Sequence, residues 1–261
     1  MQVLTRPWGA MHFADHGPQD GPAVVFANSL GTDLRLWDAL LPLLPPGLRV
    51  VRYDKRGHGL SDGSGAFSIA DLADDAAALI SALGLRPVVF VGLSIGGLIG
   101  QSLAFRHPEV LRGLVISNSA AKIGTAESWQ ARIDAVQAGG LGSISDGVME
   151  RWFAAPFRAT PALAPWRNML ARSPAEGYAL ACGAIAAADL TADTATLRLP
   201  VLVIAGSEDG ATPPDLVQAT ARLIPRAAYH CIPGAGHLPC VEAPAAHAAL
   251  ITTFLKDIAH V

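Results

Sequence analysis

Short apolar runs rich in β-branched residues punctuate the first half of the chain at residues 23–27, 49–53, 87–91 and 113–117. Brief runs of this kind are the pattern of parallel strands buried on both faces. Between the second and third, Ile69, Leu72, Ala73, Ala76, Leu79, Ile80 and Leu83 recur at three-to-four spacing, which predicts an amphipathic helix. Ser68 stands three residues before Asp71, as in a capping box, and Gly84 ends the run. A second helical run covers residues 98–105. Strands alternating with helices in this way imply right-handed crossovers and a parallel sheet.

The alternation stops near Asn118. Residues 120–189 hold helical stretches around 123–136 and 148–153, many Ala, Gly and Pro, and no strand-like run. The strand pattern resumes at 199–205 and, more weakly, at 228–232, and residues 245–254 read as a closing helix. The expected architecture is α/β: a mostly parallel sheet flanked by helices, built from residues 1–119 and 191–261, with residues 120–190 inserted as a helical cap.

Composition narrows the function classes. With 261 residues, 51% of them apolar and 16% charged, the chain can bury a large core and is not a disordered polymer. A net charge of -3 without a Lys/Arg cluster argues against nucleic acid or an anionic membrane as partner. Cys182, Cys231 and Cys240 are too few and too scattered for a disulfide framework or a zinc site, and read as small apolar fillers in a reducing compartment. The N-terminus lacks a basic stretch followed by an apolar one, and no long apolar span follows. These features predict a cytoplasmic location.

The chemistry is concentrated in Gly92-Leu93-Ser94-Ile95-Gly96, which follows one expected strand directly and precedes an expected helix. A serine in a tight strand-to-helix turn needs small neighbours two residues either side, and the helix N-terminus beside it favours negative charge. Alone the string is an ordinary glycine-rich turn; partners elsewhere give it meaning. A serine hydroxyl needs a base, and among eight histidines His237 lies in a late glycine-rich loop, with His58 as its nearest rival. The base needs an acid, which Asp209 or its neighbour Glu208 can supply just after the strand at 199–205; the spacing favours Asp209. The oxyanion of a tetrahedral intermediate then calls for two amides. Those of Ile95, after the nucleophile, and of Leu30, in the loop after the first strand, are the candidates. No metal or organic cofactor is required.

These motifs, spread over most of the chain, resemble the α/β-hydrolase superfamily, in which nucleophile, acid and base follow in the order seen for Ser94, Asp209 and His237. Within it, the strings from Asn28 to Trp37, from Tyr53 to Ser61 and from Gly92 to Gly97, with Trp129-Gln130-Ala131-Arg132-Ile133, are similar to segments of the 3-oxoadipate enol-lactonases. Asn28-Ser29 stands where many superfamily members carry His-Gly, and this departure matches the lactonase pattern. The resemblance implies hydrolysis of 3-oxoadipate enol-lactone in bacterial aromatic catabolism (the β-ketoadipate pathway). That substrate carries a carboxylate, for which Arg132 is a candidate partner, with Trp129 one turn away as a pocket wall. A surface arginine and a packing tryptophan would read the same way. The triad itself also suits another carboxylesterase, a C–C bond hydrolase, a perhydrolase, or a ligand receptor on a hydrolase scaffold.

Overall fold

The computed structural model describes residues 1–85 and 87–261. Its centre is one eight-stranded sheet of β1 (Gln2–Arg6), β2 (Gly9–His16), β3 (Ala23–Ala27), β4 (Arg49–Tyr53), β5 (Val88–Leu93), β6 (Leu111–Ser117), β7 (Val201–Gly206) and β8 (Ala228–Ile232). The spatial order is β1-β2-β4-β3-β5-β6-β7-β8. The strands from β3 onward run parallel, while β2 lies antiparallel to both β1 and β4. Every residue of β3, β5 and β7 is buried, as continuous apolar runs require.

The helices are α1 (Ile69–Ala82), α2 (Ile95–Arg106), α3 (Ala126–Trp152), α4 (Ala155–Arg158), α5 (Leu163–Ala171), α6 (Ala175–Ala187), α7 (Thr191–Thr194), α8 (Pro214–Leu223), α9 (Pro239–Glu242) and α10 (Pro244–Asp257). The capping box of α1 forms as read from the sequence: the Asp71 amide donates to Ser68 Oγ, and the Ser68 amide to Asp71 Oδ2 at 2.8 Å. The chain between β6 and β7 is helical, with α3 packed on α5 and α6. Gly57, at φ +66°, lies against Gly177 of α6, and a Cβ on either would overlap the other's backbone. That contact fastens α6 to the loop after β4.

Several elements differ from the sequence reading. The hairpin of β1 and β2 carries no continuous apolar run, because only one side of β2, through Met11 and Phe13, meets the core. The helical stretches at 123–136 and 148–153 are two parts of α3, which breaks at Gly140, a glycine with φ 66° and ψ 178°. Thr125 caps its start, so Ile123 lies outside it. The strand read from Pro87 begins at Val88 and runs on through Leu93, delivering Ser94 at its end.

The topology places the site. From β3 the chain steps to β4 on one side, and β5 then lies on the other, so the connections diverge between β3 and β5. Open parallel sheets bind ligands at the carboxyl ends of strands flanking such a point. The residues emerging there are the Asn28–Gly31 loop and Ser94.

Candidate active site

Ser94 joins β5 to α2 with φ 58° and ψ −118°, a strained conformation for a residue with a side chain. The turn is held from outside and within: the Ser94 amide donates to the Ser117 carbonyl at the end of β6 at 3.0 Å, and the Gly97 amide to the Ser94 carbonyl at 2.8 Å. A Cβ at Gly92 would overlap the Gly96 carbonyl, and one at Gly96 would overlap the Ala27 carbonyl on β3. Both clashes are with backbone, which cannot swing aside. Gly96→Ala is therefore expected to destabilise the protein by about 3 kcal/mol, the upper range for overpacking, with a matching drop in the denaturation midpoint. A variant as stable as the parent would show that α2 can move off β3.

His237 and Asp209 meet behind the serine. His237 Nδ1 lies 3.0 and 2.9 Å from the two Asp209 carboxylate oxygens. The amides of Ala211 and Thr212 donate to Asp209 Oδ1, while Thr212 Oγ1 and Asn118 Nδ2 donate to Oδ2, all at 2.8–2.9 Å. Burial alone would raise the Asp209 carboxyl, but His237 and these donors outweigh it and hold it below the usual carboxylate range. With Nδ1 engaged, Nε2 is the ring nitrogen left for chemistry. Glu208 is exposed, and among the described residues its carboxylate accepts only from the neighbouring Ser207 hydroxyl.

Three supports were not singled out in the sequence. Asn118, in the left-handed conformation at the end of β6, ties Asp209 to the Gly236 carbonyl of the histidine loop. Thr212 clasps the carboxylate from below. Glu242 accepts from the Gly236 amide at 2.7 Å and the Ala154 amide at 2.8 Å, fixing that loop to the end of α3. Asn118 alone left a signal, a polar residue at the carboxyl end of a parallel strand.

Leu30 sits in a loop pinned from several sides. Asn28 donates to the Tyr53 carbonyl and accepts from the Trp37 indole. His58 Nε2 accepts from the Gly31 amide at 3.0 Å, which leaves Nδ1–H to donate to the Arg56 carbonyl. Burial and the nearby Lys55 push His58 well below its ordinary range, so it stays neutral in this role. The rival histidine thus supports the Leu30 loop. Among the described residues the Leu30 and Ile95 amides have no other hydrogen-bond partner.

Ser94, His237 and Leu30 line one cavity of about 460 Å³. Trp129, Arg132, Arg151 and Tyr178 line its helical side. Arg132 lies 5.2 Å from the centre of the Trp129 ring and its Nη1 is 3.4 Å from the Tyr178 hydroxyl. The Trp129 indole is itself held by the Ile123 carbonyl. Of the other cations in this region, Lys122 pairs with Asp189 and Arg167 with Asp146. Among the described residues neither Arg132 nor Arg151 has a carboxylate partner, and no Asp or Glu lines the cavity. Burial and the neighbouring Arg132 lower the Arg151 guanidinium, the signature of two cations facing one space. Among the described residues no group of three His, Cys, Asp or Glu could hold a metal ion, and no helix is long and apolar enough to cross a membrane.

A glycine-flanked serine at a strained strand-to-helix turn, beside a His–Asp pair at the carboxyl edge of a parallel sheet, has a counterpart among known proteins. The chain matches the alpha/beta hydrolase fold over residues 22–244 and belongs to that family. It is a hydrolase, and its similarity to enol-lactonases extends across the whole chain. It is 36% identical over 260 residues to 3-oxoadipate enol-lactonase 1 of Acinetobacter baylyi, covering 99% of this chain and 97% of that one. It is 39% identical over 213 residues to 3-oxoadipate enol-lactonase 2 of the same organism, covering 80% of each. The crystal structure of the enol-lactonase from Burkholderia xenovorans superposes with a TM-score of 0.94 at 34% identity, covering 98% of this chain and all of that one. A thermophilic esterase from Thermogutta terrifontis, solved with malate bound, superposes at 0.92 with 30% identity and full coverage of both.

Proposed function

We propose that this hydrolase opens 3-oxoadipate enol-lactone to 3-oxoadipate, in the β-ketoadipate pathway of bacterial aromatic catabolism, beneath a helical cap formed by residues 120–190. The observation that carries the reading is the cavity: Ser94 and His237 at its floor, two arginines without carboxylate partners in its helical wall, and no acid among its described lining residues. Such a space favours an anionic substrate. The enol-lactonases named above support the lactone, and the thermophilic esterase, solved with a dicarboxylate bound, is in keeping with an anionic ligand.

In this mechanism Ser94 Oγ attacks the lactone carbonyl while His237 Nε2 takes its proton, and Asp209 stabilises the imidazolium. The Leu30 and Ile95 amides receive the oxyanion. The tetrahedral adduct collapses with cleavage of the ring C–O bond. The enolate that leaves takes the proton from His237 and becomes a ketone, still tethered because the lactone is cyclic. A water, deprotonated by His237, attacks the acyl-Ser94 ester and releases the second carboxylate. Arg132, stacked on Trp129, pairs with the carboxylate the substrate already carries. Neither metal nor organic cofactor enters any step.

The test is a comparison of two substrates. Arg132→Ala is expected to raise KM for the enol-lactone at a cost of about 1.5–3 kcal/mol, the range for a charge-assisted hydrogen bond. That is roughly a ten- to hundredfold change. Hydrolysis of p-nitrophenyl acetate, which has no carboxylate to lose, is expected to change less than about twofold. Equal losses on both substrates would assign Arg132 to the cap's packing. A wild-type enzyme that leaves the enol-lactone intact while cleaving simple esters would overturn the substrate.

A further inference from the structure

Lys55 is only 2% exposed, and its ammonium makes one hydrogen bond among the described residues, to the Ser29 carbonyl at 2.6 Å. A buried charge is costly unless something uses it. The carbonyl does not need it for satisfaction, because Thr32 Oγ1 already donates there at 2.9 Å and the Thr32 amide at 3.3 Å. No carboxylate among the described residues forms an ion pair with Lys55; Asp54 and Asp33 act on it only through their field. What distinguishes the Ser29 carbonyl is its peptide partner. It belongs to the same planar unit as the Leu30 N–H, and in a trans peptide the two point in opposite directions. A cation on the carbonyl draws electron density through the amide and makes the N–H a stronger donor, as hydrogen bonds in a chain polarise one another.

We propose that Lys55 tunes the oxyanion hole: its ammonium, bound to the Ser29 carbonyl, polarises the Ser29–Leu30 peptide so that the Leu30 N–H binds the developing oxyanion more strongly than an ordinary amide. Lys55 is a positioning residue in this scheme, touching substrate only through the peptide. The inference rests on the Ser94 mechanism and on the Leu30 amide as oxyanion donor. Uncharged substrates benefit as much as charged ones, since the effect falls on the carbonyl common to all of them. The gain belongs to kcat and not to KM, because the full negative charge exists only in the transition state.

The surroundings also give the effect a pH dependence. Burial pushes the Lys55 ammonium down to about 7, against the opposing fields of Asp54 and Asp33. The other charged or titratable groups near it are engaged. Asp54 bonds His12, Asp33 bonds Arg35, and His58 is neutral between Gly31 and Arg56. Lys55 therefore loses its charge as pH rises through about 7, and the polarisation weakens with it. Any pH dependence common to all Lys55 variants cancels in the ratios between them.

The experiment measures kcat and KM for p-nitrophenyl acetate from pH 6 to 9, corrected for uncatalysed hydrolysis, in the wild type, Lys55→Met and Lys55→Arg. Removing an oxyanion donor outright costs about 10²–10³ in kcat, so losing its polarisation is expected to cost about tenfold. The wild-type to Met ratio of kcat is expected to be about ten at pH 6 and to approach one at pH 9, with KM unchanged within about twofold. The arginine variant, whose charge persists, is expected to stay near the upper level across the range. Should Lys55→Met not fold, the wild-type to Arg ratio carries the test and is expected to fall about tenfold over the same span. A ratio that does not vary with pH, whatever its size, overturns the inference, because loss of packing alone has no such titration. Ser94→Ala, assayed in parallel, separates the two readings. Activity surviving in that variant would remove the mechanism itself. Activity that depends on Ser94 with flat ratios would remove only the role of Lys55.

Discussion

Ser94→Ala is expected to lower kcat for the enol-lactone by more than about 10⁴-fold, leaving only what substrate binding and the two amides supply. The fold is expected to survive. Alanine keeps the Cβ already present at φ 58°, and no hydrogen bond of the Ser94 hydroxyl to a described residue is lost. The thermal midpoint is expected to stay within a few degrees of the parent's, a shift of less than about 1 kcal/mol. The burst of p-nitrophenol that marks acyl-enzyme formation is expected to vanish with turnover. A variant that keeps more than about a tenth of the wild-type rate would remove Ser94 as nucleophile.

The second large effect separates two adjacent acids. Asp209→Asn is expected to lower kcat by about 10⁴-fold, because the amide holds His237 in the wrong tautomer. Glu208→Gln is expected to change it by less than about twofold, as for other exposed side chains remote from the reacting atoms. The structure adds a reason for the size of the first effect. Each carboxylate oxygen meets at least one group that can only donate: the Ala211 and Thr212 amides on Oδ1, and Asn118 Nδ2, beside the Thr212 hydroxyl, on Oδ2. An NH₂ in either place meets a donor head-on, so no rotamer of asparagine satisfies the site. The reverse order of damage in steady-state assays would make Glu208 the acid.

Much of this arrangement was legible in the chain. Buried parallel strands need continuous apolar runs, and those runs stand out in any window; the capping box of α1 and the glycines around Ser94 are equally local. The hairpin of β1 and β2 was not visible in the same way, because one face of β2 is turned from the core and its apolar residues are diluted by His12 and Ala14 between Met11 and Phe13. The kink at Gly140 leaves only a gap in the helical periodicity, since a glycine that bends a helix and one that ends it look alike in sequence. The candidates anchored by a motif, Ser94, His237 and Asp209, stand out because each follows a strand or a glycine-rich turn.

What only the tertiary structure decided is which groups from distant segments share one space. Residues 29, 94, 132, 151 and 237 line the same cavity although well over a hundred positions separate the outermost. Arg132 and Arg151 became distinct from Lys122 and Arg167 only when the latter two were seen paired with Asp189 and Asp146. His58 ceased to compete with His237 once its ring was seen bonded to Gly31 and Arg56. Lys55 carries no mark in the sequence beyond being a lysine, and its meaning comes from burial against the Ser29 carbonyl. Secondary structure follows from local periodicity because burial of one face selects for it. The partners of a charge depend on how whole elements cross, and that is set by the packing of the complete core.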